Sequence, residues 1–229
     1  VLFSPFQAFK RFKEKYEENE FYKFPWLLIF IIYTIIIIPS SMLLIPYAQQ
    51  HAPELVQRQM ERFDLPADRG QKMLEGMNKG LKWQFILSPV NYLILFFFTT
   101  LFLYIYLYFF AYKLTFGNIF NILVVSNFPT VLGSAVSIII HKISGFSLIN
   151  GFMGLRRINL GFHTFFENLD PLLANFLAIN NFFAIWTLVL TIIGLSVVSK
   201  RDISKTALIV TVPYLIWTGG AAFLMGLSG

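Results

Sequence analysis

Residues 181 to 217 constrain this chain more than any other stretch. They form two apolar runs joined by a short basic connector, Lys200-Arg201-Asp202-Ile203-Ser204-Lys205. Each run approaches the ~20 residues needed to cross a hydrocarbon core. Two spanning helices with a tight turn between them follow. Further apolar runs recur along the sequence. Hydrophobic residues make up 56% of the chain and charged residues 13%, about half the share usual in soluble domains. Runs of this kind have no amphipathic face to turn to water, so residues 1–229 read as one all-α integral membrane domain.

Five transmembrane helices are expected, at about residues 24–46, 89–112, 118–140, 182–199 and 206–227. Pro39 should kink or end the first, because proline removes a backbone donor and crowds the preceding turn. Tyr104, Tyr106, Tyr108 and Tyr112 cluster near one end of the second, as an interfacial aromatic belt would. In the third, Pro129 leaves the Val125 carbonyl without its usual partner, for nearby hydroxyls or water to take up.

The polar segments are expected to carry amphipathic or interfacial helices. In residues 1–24, Phe3, Phe6, Phe9 and Phe12 recur every three positions with Lys10, Arg11, Lys13 and Lys15 among them. Such a helix suits membrane headgroups, or it packs on the protein's own base. The first fifteen residues lack the layout of a cleavable signal, and a chain beginning at Val1 is expected to lack its initiator methionine. Residues 47–82 suggest two surface helices separated at Pro66, the second with Met73, Leu74, Met77 and Leu81 on its buried side. In residues 141–179, Asp170-Pro171 reads as a helix start before Leu172, Leu173, Phe176 and Leu177.

Five spans put the termini on opposite sides. The basic residues are densest in the short segments, above all the connector, and short loops near span ends set orientation. The N-terminus is therefore expected in the cytoplasm and the C-terminus outside, with the long loops extracytoplasmic.

Small residues let helices approach closely in lipid. Ser126, Thr130, Gly133, Ser134 and Ser137 form one such ladder, and Thr218, Ala222 and Gly226 another. Both are candidate packing or partner faces. Asn118, Asn121 and Asn127 extend the third span's hydroxyls into a candidate polar path. Arg156 and Arg157 form a candidate contact for a lipid headgroup or an acidic partner.

Reaction chemistry has little foothold. The chain has no cysteine, and no Asp, Glu, Lys or Arg lies well inside an expected span, where ion coupling normally requires one. Nucleotide-binding and zincin patterns are missing. His163 and Glu167 share a helical face but fall short of three protein ligands. Ser134 and His141 lie about two turns apart on one helix, too far for a nucleophile and its base. No catalytic residue, metal or cofactor is expected. The positive charge belongs to membrane orientation, with no nucleic-acid partner expected.

Three blocks resemble the Yip1 family of multispanning membrane proteins, specifically its bacterial branch. They are Ser4-Pro5-Phe6-Gln7-Ala8-Phe9; the stretch from Phe116-Gly117-Asn118 to Asn127-Phe128-Pro129-Thr130-Val131-Leu132; and Phe183-Ala184-Ile185-Trp186 to Ile193-Gly194-Leu195-Ser196 with the basic turn after it. Pro129, Trp186 and Gly194 sit in these motifs. The resemblance implies five helices, a cytoplasmic N-terminus and a short C-terminal tail. Family members commonly carry aspartate where this chain has Asn181, which can still cap the fourth span. Eukaryotic relatives work in vesicle trafficking with small GTPases. Bacterial relatives are often encoded beside ABC exporters.

The resemblance implies a non-enzymatic accessory protein of the bacterial inner membrane. It would contact lipids and dock to membrane proteins such as an ABC-type exporter, in export or envelope protection. The alternative is a small permease or lipid-handling protein with a polar path along the third span.

Overall fold

A computed structural model describes residues 4–18, 25–64, 66–143, 161–166 and 168–227. Among these residues the protein is all helical, and four helices are long and apolar enough to cross a membrane: Ser88–Phe109, Phe116–Ser137, Phe182–Ser199 and Ile203–Met225. In chain order the α-helices are α1 (Pro5–Glu18), α2 (Pro25–Phe63), α3 (Ala67–Ile86), α4 (Ser88–Phe109), α5 (Phe116–Ser126), α6 (Phe128–Ile143), α7 (Pro171–Ile179), α8 (Phe182–Ser199) and α9 (Ile203–Leu227). A 3₁₀ turn, Phe162–Phe165, precedes α7.

The helix ends follow local chemistry. Asp170 caps α7, its carboxylate accepting from Leu172 N at 2.9 Å, with Pro171 at the first helical position. Asn181 caps α8, its side-chain oxygen accepting from Ala184 N at 3.0 Å. α8 stops where Lys200 turns into the left-handed region at φ 57°. There the Lys200 and Arg201 N–H groups both return to the Ser196 carbonyl, a tight C-terminal cap. Asp202 then caps α9 by accepting from the N–H groups of Ser204 and Lys205.

The structure sharpens two expectations about proline. α2 runs unbroken through Pro39, Pro46 and Pro53, so Pro39 does not end the first apolar run, and the first surface helix expected in residues 47–82 is its continuation. Proline inside a helix loses one hydrogen bond and clashes locally, which neighbouring helices can offset. Here α3, α4, α5 and α6 all pack on α2. Second, the expected third span is present as Phe116–Ser137, but it is interrupted at Asn127, two residues before Pro129, between α5 and α6. The bonds from Asn127 N–H to the Leu123 carbonyl and from Val131 N–H to the Asn127 carbonyl carry the helical pattern across. The Val125 carbonyl meets the Asn127 backbone N–H rather than a hydroxyl. Residue 24, at the start of the first expected span, lies outside the described residues.

α8 is the hub of the bundle, packing against α1, α5, α6 and α9. Its stretch from Leu190 to Ser196 is buried on every side, as expected for a helix apolar all round. The main core joins Phe9, Leu103, Leu107, Ile122, Ile193 and Leu195, among others. A second cluster joins Tyr33, Phe96, Val124 and Val131. Outward faces stay apolar: Tyr108 on α4 is 72% exposed and Trp217 on α9 is 74% exposed. An apolar exterior this extensive suits lipid rather than water.

Candidate functional site

The broken third span and its neighbours hold most of the polar residues singled out in the sequence. Thr130 on α6 shares a hydrogen bond with Thr187 on α8, hydroxyl to hydroxyl at 2.8 Å. Ser134 turns back to the Thr130 carbonyl at 2.9 Å. A Cβ at Gly133 would lie 2.6 Å from the Phe183 ring, so this glycine is what lets α6 and α8 close together. Ser126 and Ser137 are buried as well. The ladder on α6 therefore packs against the protein's own α8.

The ladder on α9 is also turned inward. Thr218 and Ala222 are buried, and α9 packs on α7 and α8. Ala222, Gly219, Asp170, Leu172, Leu173 and Phe176 line an open cleft of about 260 Å³ between α7 and α9. Gly226 lies in the last turns of α9. An apolar cleft of about 300 Å³ opens between Phe97, Phe98 and Phe120 on the outer side of α4 and α5.

The candidate polar path divides. Asn118 is half-buried at the start of α5, where its N–H bonds the Thr115 hydroxyl that caps the helix. Asn121 is 1% exposed, and its side-chain oxygen has no hydrogen-bond partner; the Ser126 hydroxyl is equally enclosed and unpaired. Asn127 is half-buried at the break. Five residues of helix turn Asn121 and Ser126 about 140° apart, so these oxygens face different sides of α5. Arg156, Arg157 and Glu167 lie outside the described residues. His163 sits in the 3₁₀ turn, its ring against Gly161.

Sequence reasoning missed several contacts. The Tyr33 hydroxyl on α2 donates to the Val124 carbonyl at 2.9 Å, 91 residues away. Thr187 pairs with Thr130. Tyr112, expected in the aromatic belt, is instead buried, and its hydroxyl shares a hydrogen bond with Thr206 at 2.9 Å. The Arg201 guanidinium donates to the Ala111 carbonyl at 2.7 Å and lies 5.4 Å from the Tyr112 ring centroid. These bonds fasten the α4–α5 turn to the α8–α9 connector. Only the density of hydroxyl and aromatic residues near span ends hinted at them.

The three motif blocks have structural roles on this scaffold. Phe9, 1% exposed, packs where Gly194 leaves room: a Cβ there would lie 2.9 Å from the Phe9 ring and 2.7 Å from Ile122. α1 thus packs on the protein itself. Trp186 meets the Phe182 ring edge to face at 5.6 Å between centroids. Pro129 is buried one step beyond the break. Comparison with curated proteins and with solved structures finds no match. The Yip1 domain family matches residues 1–225, nearly the whole chain and all three blocks, so this multispanning membrane protein belongs to the Yip1 domain family.

Proposed function

We propose that the protein is a non-enzymatic accessory protein of the bacterial inner membrane that acts by lateral docking to other membrane proteins, with an ABC-type exporter as the partner class to test first. One observation carries this reading. Thr130 and Gly133, at the centre of the third span, are taken up by the protein's own packing, through Thr130–Thr187 and Gly133–Phe183. What remains outward is apolar helix surface, notably Phe98 and Phe102 on α4 and Leu208 and Ile216 on α9. Lipid and partner helices compete for such surfaces, and van der Waals fit decides between them. Five spans, with α2 crossing through its apolar N-terminal half, complete the proposed topology.

The test is photo-crosslinking in native membranes from positions Phe98, Phe102, Leu208 and Ile216, with Thr130 as the interior control. The expected result is a crosslink from an outward position to an ATPase-containing exporter or another integral protein. Lipid adducts alone from every outward position would overturn the docking reading. The rival, a small permease or lipid-handling protein, rests on the unpaired Asn121 and Ser126 oxygens. It requires solvent or substrate to reach Asn121, so labelling of an Asn121→Cys variant by a water-soluble thiol reagent would favour it.

A further inference from the structure

We propose that the connector end of the bundle binds anionic phospholipid headgroups through a basic surface completed by α1. The basic residues come from three segments far apart in sequence: Lys10 and Arg11 on α1, Lys113 in the α4–α5 turn, and Lys200, Arg201 and Lys205 in the connector. All six are exposed. Core packing links the three segments. Phe9 shares a cluster with Leu107, Tyr112, Leu114 and Val210, Arg201 reaches Ala111, and Tyr112 reaches Thr206.

Two acids, Glu14 and Asp202, stand among these six basic residues and leave a net positive charge. Asp202 spends its carboxylate on the N–H groups of Ser204 and Lys205. On α1, Glu14 lies one turn from Lys10 and Arg11 and is the acid nearest to them, while Glu17 and Glu18 follow toward the C-terminal end. An excess of cations on one surface is unfavourable, and an anionic surface offsets that cost. The apolar side of α1 fits the same occupant. Phe9 is anchored in the protein, whereas Phe6, one turn earlier, is half exposed. Phe6 and Lys10 are four residues apart and share a side of the helix, which sets an aromatic ring beside an ammonium. At a membrane surface the ring sits at the acyl boundary and the ammonium among the phosphates.

The experiment uses the full chain, purified in detergent and offered an equal mixture of phosphatidylglycerol and phosphatidylcholine, with retained lipids read by native mass spectrometry. Wild type should retain the anionic lipid preferentially. Lys10→Gln, Arg11→Gln and Lys113→Gln combined should lower that preference about tenfold, since each basic group near an anionic surface contributes substantially. Arg69→Gln with Lys72→Gln, exposed charges on α3, should leave it unchanged. Equal retention of the two lipids by wild type, or equal loss in the α3 variant, would overturn the proposal. If the triple variant fails to fold, the wild-type charges can be tested with a fluorophore at Gln7→Cys, the sole thiol in the chain. Nitroxide headgroup lipids should quench it more strongly in phosphatidylglycerol nanodiscs than in phosphatidylcholine nanodiscs, and identical quenching would count against the surface.

Discussion

Gly194 shows how one residue decides where a whole helix goes. Its missing side chain admits the Phe9 ring, and Phe9 holds α1 on α8. Gly194→Leu should therefore lower stability by about 1–3 kcal/mol, the usual effect of overpacking, and should expose α1 to trypsin at Lys10 and Arg11. Adding Phe9→Ala should cost less than the sum of the two single changes, because both act on one contact. Thermal unfolding in detergent and limited proteolysis check this, and strict additivity would place Phe9 elsewhere. Asn181 is the contrasting case. The structure uses Asn181 as a cap through Ala184 N. Asparagine and aspartate cap equally well, so Asn181→Asp should shift stability by less than about 0.5 kcal/mol, whereas Asn181→Ala should cost about 1 kcal/mol. The cap was legible because it depends on neighbours in sequence. The role of Gly194 was visible only as a motif position, since its partner Phe9 lies far away along the chain.

Among the elements, the broken third span and the unbroken α2 teach opposite lessons about proline. α2 stays one helix through three prolines, with α3, α4, α5 and α6 packed on it. The third span breaks before Pro129, where Tyr33 from α2 reaches the Val124 carbonyl. Proline marks where a helix can yield, and tertiary contacts decide whether it does. That is why the lengths of α4, α8 and α9 could be read closely from apolar runs while the course of α2 could not. The Tyr33 bond makes the break testable. Tyr33→Phe should cost about 0.6 kcal/mol, the average for hydrogen bonds between membrane helices. Its clearer signature is local: amide exchange in the backbone from Val124 to Thr130 should speed up while α8 stays protected. Unchanged exchange there would mean that Pro129 alone sets the break.

For the whole molecule, the question is which surfaces share a side of the membrane. The α4–α5 turn and the α8–α9 connector share one end through Arg201–Ala111 and Tyr112–Thr206, and α1 packs on α8 at Gly194, six residues before that connector. At the far end of α8, its first turn meets α6 through Gly133 and Phe183. The basic connector was legible in the sequence, whereas its link to the α4–α5 turn through Arg201 and Ala111 was not. Nor were the partner faces. A ladder of small residues signals close packing in lipid equally for a neighbour in the same chain and for another protein; only the fold shows that Gly133 and Ala222 face inward. The grouping predicts a labelling pattern, and the cysteine-free chain makes it clean. Single cysteines replacing Lys10, Lys113 and Ser204 should react with an impermeant thiol reagent from the cytoplasmic side only. One replacing Lys72 should react from the opposite side only. Labelling of Lys72→Cys from the cytoplasm would remove the first crossing and leave four spans. Labelling of Lys113→Cys and Ser204→Cys from opposite sides would break the link that Arg201 and Tyr112 make across the two turns, and with it the bundle as described.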